Sequence, residues 1–155
     1  MRETDVLCPL VTPMDDEGEI DYESLDAVVR GVRDAGLDGF VPCGTTGEFA
    51  SLTREENRAL VERVRAVAGD DATVIAGAGA TSVPDTVSAL TDAAAAGADA
   101  GLVVVPYFHT ANAADGNARF LRRVADRSPL PLYLYNIPAC TGSEIPVETA
   151  VELAD

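Results

Sequence analysis

Lysine is absent from this 155-residue chain, whose eleven basic residues are all arginine. No side chain can therefore condense with a carbonyl to form an imine, because a guanidinium is too basic and too delocalised to act as a nucleophilic amine. Tryptophan is also absent, aromatics make up only 5%, and histidine occurs once, as His109. That histidine sits in a turn beside Thr110 without other ligands around it, so no metal is expected. Cys8, Cys43 and Cys140 lie far apart with no C-x-x-C pair, so neither a disulfide framework nor a zinc site is indicated and they read as three buried small hydrophobes. No run approaches the roughly 18 apolar residues of a membrane span. The N-terminus opens on Arg2, Glu3 and Asp5 instead of a basic segment followed by an apolar one, so a cytoplasmic protein is expected.

Acid dominates what charge there is. Asp and Glu number 26, the net charge is −15, and the isoelectric point is near 4.2. Such a surface repels polyanions, so neither nucleic acid nor an anionic membrane is an expected partner. The acidic residues are dispersed and form no tail. With lysine avoided and aromatics few, the composition suggests a halophile's cytosol, where a Debye length of about 3 Å at 1 M salt hides the self-repulsion. Compositional bias of an Arg/Ala/Asp-rich proteome is the alternative. A hydrophobic content of 47% with 24% charged residues describes one globular domain over residues 1–155.

Five apolar runs recur along the chain: Val6 to Val11, Gly39 to Pro42, Thr73 to Ala76, Gly101 to Val105 and Leu132 to Tyr135. Between them apolar residues fall at helical spacing, as in Leu25, Val28, Val29, Val32 and in Leu60, Val61, Val64, Val67. Asp21 can cap the first helix, Thr53-Arg54-Glu55-Glu56 is a capping box for the second, and Ser82 with Pro84 starts the third. Val147, Ala150, Val151 and Ala154 begin a fifth helix with no C-cap signal. Continuous apolar strands alternating with helices specify a parallel α/β sheet, either doubly wound or a β/α barrel. Pro9 within the first run suits an edge or a bulge. A complete barrel takes roughly 250 residues, so on the barrel reading the chain is about five-eighths of one, its N-terminal portion.

Chemistry-bearing residues cluster just after each run, at what becomes the carboxyl edge of a parallel sheet, where sites are built. Gly44-Thr45-Thr46-Gly47-Glu48 follows the second run and is rich in small residues, hydroxyls and amides, a place to hold a carboxylate or phosphate. Gly77-Ala78-Gly79-Ala80-Thr81-Ser82 has the look of a dinucleotide loop but lacks the third glycine, and Asp99 follows a helix instead of ending a second strand. No nicotinamide or other cofactor is expected.

Val11-Thr12-Pro13, Gly44 to Glu48, Ile75-Ala76-Gly77-Ala78-Gly79, Pro106-Tyr107 and Tyr135-Asn136-Ile137-Pro138 with Thr141-Gly142 stand in an order and spacing that resemble the N-terminal part of the dihydrodipicolinate synthase and N-acetylneuraminate lyase family of pyruvate-type aldolases. The resemblance implies a TIM (β/α)8 barrel, of which this chain covers about the first five β/α units, and a small 2-oxo acid substrate held as a Schiff base on a lysine of the sixth strand. By the same resemblance Thr46 binds the substrate carboxylate with Gly44, Gly47 and Tyr107 around it, and Thr45 bonds the phenol of Tyr135 in a proton relay. The complete protein would be a homo-oligomer, a dimer or tetramer. Two positions depart from the synthases. Phe108 replaces the second tyrosine of Pro-Tyr-Tyr, and Cys140 stands where an arginine meets the second substrate. The run from Gly47 to Thr53 is similar to that of 2-keto-3-deoxygluconate aldolases and deoxy-keto-glucarate dehydratases. The leading expectation is thus reversible aldol cleavage of a 2-keto-3-deoxy sugar acid, with synthase-type condensation or dehydration as alternatives. A rival of another class is a noncatalytic half-barrel that binds small carboxylates or pairs with a second half.

The charge imbalance has a measurable outcome. Thermal stability is expected to rise from dilute buffer into molar KCl as surface repulsion is screened. A melting temperature that is flat or falls over that range counts against screened repulsion.

Overall fold

The computed structural model describes residues 5–108 and 114–154, so Met1 and His109 lie outside it. Five strands, β1 (Leu7–Pro9), β2 (Gly39–Val41), β3 (Thr73–Gly77), β4 (Ala100–Val103) and β5 (Leu132–Leu134), pair in parallel and in chain order. The helices between them are α1 (Tyr22–Asp34), α2 (Arg54–Ala68), α3 (Val83–Ala95) and α4 (Ala114–Ala125). A one-turn α5 (Pro138–Thr141) precedes α6 (Val147–Ala154). The sequence pattern does not show α5, because four residues are too few for a period.

Strand order separates the two architectures. A doubly wound sheet reverses direction at a switch point and puts helices on both faces. Here every strand neighbours the next, and α1 packs on α2, α2 on α3 and α3 on α4, as a ring of helices around a curling sheet requires. The ladders are shorter than the apolar runs. Val104 and Val105 are buried beyond the end of β4, so hydrophobicity there reports burial without pairing. Pro9 pairs with Val41 on β1, which has a neighbour on one side only, so its missing N–H costs no ladder bond to a second strand.

Helix starts follow local chemistry. The Asp21 carboxylate accepts from the N–H groups of Glu23 and Ser24, both at 3.0 Å. The Thr53 hydroxyl accepts from Glu56 N–H at 3.2 Å while the Glu56 carboxylate accepts from Thr53 N–H at 2.6 Å, which completes a capping box. Ser82 caps α3 through Asp85 N–H. The apolar stripes then divide between two core clusters. One gathers Leu10, Phe40 and Val74 with Leu25 and Val29 of α1 and Leu60, Val61 and Val64 of α2. The other gathers Val103 and Val105 with Leu90 of α3 and Phe120, Leu121 and Val124 of α4.

Two arginine hubs tie the layers together. Arg63 of α2 donates to both carboxylate oxygens of the buried Asp26 on α1, at 2.6 and 2.9 Å, and Arg30 adds a bond at 2.9 Å. Arg65 donates to the carbonyls of Gly97, Gly69 and Ala72, each at 2.8 Å, and to Asp99 at 2.5 Å. Asp99 also accepts from Val74 N–H at 2.8 Å, at the amino-terminal entry to the sheet. Its carboxylate is committed to these structural bonds.

Hydrogen bonds from Arg63, together with the charges of Arg63 and Arg30, hold the Asp26 carboxyl below its ordinary value of 3.8 against the opposing cost of burial. A depressed folded-state pKa means that this stabilisation is full above that pH and fades as pH falls through the lower folded value. Asp26→Asn is therefore expected to lower the melting temperature at neutral pH, and the gap to the wild type should narrow as pH falls below 3.8. A gap that is independent of pH would assign the effect to packing instead.

Candidate active site at the carboxyl edge

After β2 the chain makes a turn that ordinary backbone resists. Cys43 and Glu48 adopt left-handed φ values of 57° and 55°, uncommon for residues with a side chain. The neighbouring strand provides the room. Gly77 N–H, at the end of β3, donates to Pro42 O at 2.9 Å, and a Cβ on Gly77 would stand 1.8 Å from the Cys43 carbonyl oxygen. Only glycine lets β3 support the turn so closely. Within the turn Gly47 N–H donates to Gly44 O and Glu48 N–H to Thr45 O, both at 3.1 Å. The buried Thr12 hydroxyl donates to Gly47 O at 2.8 Å and pins the turn to the end of β1.

What remains unbonded is the apex. Gly44 and Gly47 are buried, whereas Thr45 and Thr46 are exposed. Among the hydrogen bonds of the described residues, their hydroxyls and N–H groups take no partner. Donors fixed in place and left unspent are what an incoming carboxylate requires.

Asn57 of α2 anchors the continuation of this turn by donating to Phe49 O at 3.2 Å and Thr53 O at 3.0 Å. The Phe49 ring meets Tyr107 edge to face, with centroids 6.2 Å apart and planes at 88°. Beside them opens a cavity of about 230 Å³ lined by Thr45, Phe49, Val104, Tyr107, Ile137 and Cys140 among others. Tyr107 is half-buried, and Phe108 is 75% exposed.

Tyr135 follows β5 at the same edge, half-buried, with its N–H donating to Val103 O at 2.9 Å. Asn136 then closes a loop around α5. Its side-chain amide donates to Ile145 O at 3.2 Å and accepts from Ile145 N–H at 3.0 Å. The structure thus brings Thr45 and Tyr107 to one cavity and places Tyr135 on the same sheet edge. No hydrogen bond joins Thr45 to the Tyr135 phenol among the described residues, and neither Thr46 nor Tyr135 lines that cavity. Asn57 was not legible as a contributor to the site, and Asn136 was legible only as a member of the Tyr135-Asn136-Ile137-Pro138 motif. The available signal was an asparagine, a poor helix former, inside the apolar face of α2.

The cysteines divide. Cys43 is buried, and burial pushes its thiol up to about 12. Its Sγ reaches Asn57 O at 3.4 Å. Cys8 is half-buried and Cys140 exposed, which corrects the expectation of three buried hydrophobes. A single turn of helix has no layer above it to cover Cys140. Among the described residues, no group of three His, Cys, Asp or Glu side chains is placed to hold a metal ion. No helix there is long and apolar enough to cross a membrane.

A parallel β/α segment with a donor-rich turn at the carboxyl edge defines part of a barrel enzyme. The model of the Dihydrodipicolinate synthetase family matches residues 2–155, and the chain belongs to that family, whose members are carbon–carbon lyases. It is 43% identical over 151 residues to the 4-hydroxy-tetrahydrodipicolinate synthase of Parasynechococcus marenigrum, covering 97% of this chain and 50% of the relative. It is 42% identical over 152 residues to the synthase of the same name from Natronomonas pharaonis, covering 98% and 51%. The crystal structure of the chloride-inhibited dihydrodipicolinate synthase from Acinetobacter baumannii complexed with pyruvate is 34% identical and superposes with a TM-score of 0.93, covering 97% of this chain and 52% of that one. The chain spans about half the length of the curated relatives it matches.

Burial sets the order of thiol reactivity. A thiol reagent at neutral pH is expected to modify Cys140 first and to reach Cys43 only when denaturant opens the core. Labelling of Cys43 at the native rate of Cys140 would show that the β2 turn is open in solution.

Proposed function

We propose that this segment supplies the carboxylate-binding turn and the acid–base tyrosine of a lyase that makes or breaks a carbon–carbon bond next to the keto group of a 2-oxo acid. The unspent donors of Thr45 and Thr46, on a turn pinned by Thr12 and by its own backbone bonds, carry this reading. Thr46, framed by Gly44, Gly47 and Tyr107, holds the substrate carboxylate. Tyr135, at the same sheet edge as Thr45, moves the proton during imine formation and the carbon–carbon step. The imine itself forms on a primary amine, which must come from a lysine of the remaining part of the barrel, since this chain has none. The pyruvate in the Acinetobacter baumannii structure is consistent with that substrate class.

The names of the relatives favour condensation of the 2-oxo acid with a second substrate, as in 4-hydroxy-tetrahydrodipicolinate synthase, over the sugar-acid cleavage that led the expectations. A second reading, aldol cleavage of a 2-keto-3-deoxy sugar acid, rests on two side chains. Phe108 has no hydroxyl to relay a proton, and Cys140 brings a thiol and not a guanidinium to the cavity beside Thr45. Salt-dependent stability and a dimeric or tetrameric complete protein belong to the same proposal.

The test uses the chain completed with a lysine-bearing C-terminal half. Pyruvate with borohydride should trap an adduct on that lysine, and no adduct should form at a site residue of the present chain alone. Tyr135→Phe should slow turnover by about 10²-fold while affecting trapping less, and Thr46→Val should raise the pyruvate concentration needed for trapping. Full turnover in the tyrosine variant, or an unchanged pyruvate requirement in the threonine variant, would remove that residue from the mechanism.

A further inference from the structure

Phe49 stands between two cavities. One is the cavity of about 230 Å³ beside Thr45. The other, of about 290 Å³, opens between α2 and α3, and its lining includes the apolar Leu52, Val61, Ala78 and Ala89. Phe49, Ala50 and Tyr107 line both. Ala50 reaches no further than its methyl group, so the partition is made by the two rings, which meet edge to face. The Phe49 carbonyl accepts from the Asn57 side-chain amide at 3.2 Å and from Leu52 N–H at 3.3 Å, which fixes the one-turn 3₁₀ helix Phe49–Ser51 from which the ring projects. The ring itself lies so close to Gly79 that a Cβ there would stand 2.8 Å from its Cε2. Gly79 belongs to the lining of the larger cavity, whereas Thr45, Val104 and Ile137 belong to that of the smaller. Packed between backbone on one side and a second ring on the other, the Phe49 side chain has little room for another rotamer.

We infer that the Phe49 ring sets the size of the second reactant: it closes the far end of the cavity beside Thr45, so that a short aldehyde fits and a long one meets the ring. The inference rests on the function proposed above. In that reaction the carbon next to the keto group loses a proton and bonds to the aldehyde carbon, while the aldehyde oxygen gains a proton, so the product is a hydroxylated 2-oxo acid. With the carboxylate held at the Thr45–Thr46 turn, the substituent of the aldehyde is the part that the neighbouring cavity must house. Truncating Phe49 replaces a wall by an opening into the space between α2 and α3. Leu52, Val61, Ala78 and Ala89 on that side offer an alkyl tail apolar contact in place of water. Phe49 is thus a specificity-determining residue that takes no part in the proton transfers.

The test uses the chain completed with a lysine-bearing C-terminal half, given pyruvate and straight-chain aldehydes from propanal to octanal. In the wild type kcat/KM should fall steeply toward the long end of the series. Phe49→Ala should raise kcat/KM for octanal relative to propanal by about tenfold or more, and Phe49→Leu, which keeps part of the wall, by less. Borohydride trapping of pyruvate needs no aldehyde and separates the two claims. No adduct in the wild type would defeat the proposed function. An adduct accompanied by an octanal-to-propanal ratio that neither variant changes would overturn the role of Phe49 alone. So would a wild type that takes octanal as readily as propanal. Phe49 packs against the first core cluster, and Phe49→Leu keeps that apolar contact, so the leucine variant decides the outcome should the alanine variant fail to fold.

Discussion

The approach of the Cys43 carbonyl to Gly77 is the contact on which the site rests. It seats the β2 turn on the end of β3 at a separation that any side chain at position 77 would prevent. The left-handed backbone at Cys43 and Glu48 is tolerated because three anchors over-determine it: Gly77 from below, Thr12 from β1 and Asn57 from α2. The donors of Thr45 and Thr46 are thereby held by strands and a helix rather than by a free loop. Preorganised donors lose little entropy when an anion arrives.

Arginine carries the cationic side of the structure without help from lysine. Every side-chain ion pair among the described residues uses it. Arg65 engages three carbonyls and a carboxylate at once, a geometry that suits a planar fork and not a compact ammonium. Arginine alone thus serves the ion pairs and carbonyl contacts of the described scaffold. It is at an imine-forming centre that arginine cannot replace lysine, which is why the fold can be intact in a segment that lacks the reactive amine.

Strand and helix alternation, the caps at Asp21, Thr53 and Ser82, and the clustering of Gly44 to Glu48 and Tyr135 at one edge were legible because each is a local pattern with a local cause. Barrel and doubly wound sheet could not be separated by periodicity, since both use the same β/α unit; the order of strand pairing separates them. The exposure of Cys140 and the one-turn helix that carries it depend on what packs above them, and no period of four residues announces that. Asn57 and Asn136 act by bonding backbone that is distant in sequence, so their roles appear only once Phe49 and Ile145 have been brought beside them. The Thr45 and Tyr135 side chains share an edge but no hydrogen bond among the described residues, a separation that motif spacing does not encode.

The hydrophobic core is two clusters, and the functional residues are divided between them. Leu10, Phe40 and Cys43 place the Thr45–Thr46 turn on the first, which is enclosed by α1 and α2. Tyr135 follows β5 in the second, beside the uncovered flank of α6. Local opening costs least where apolar contacts are fewest. The turn is accordingly the better enclosed of the two candidate elements, with the tyrosine beside the more open flank. On the proposed reading, carboxylate binding by the turn and proton transfer by the tyrosine answer to different halves of the core.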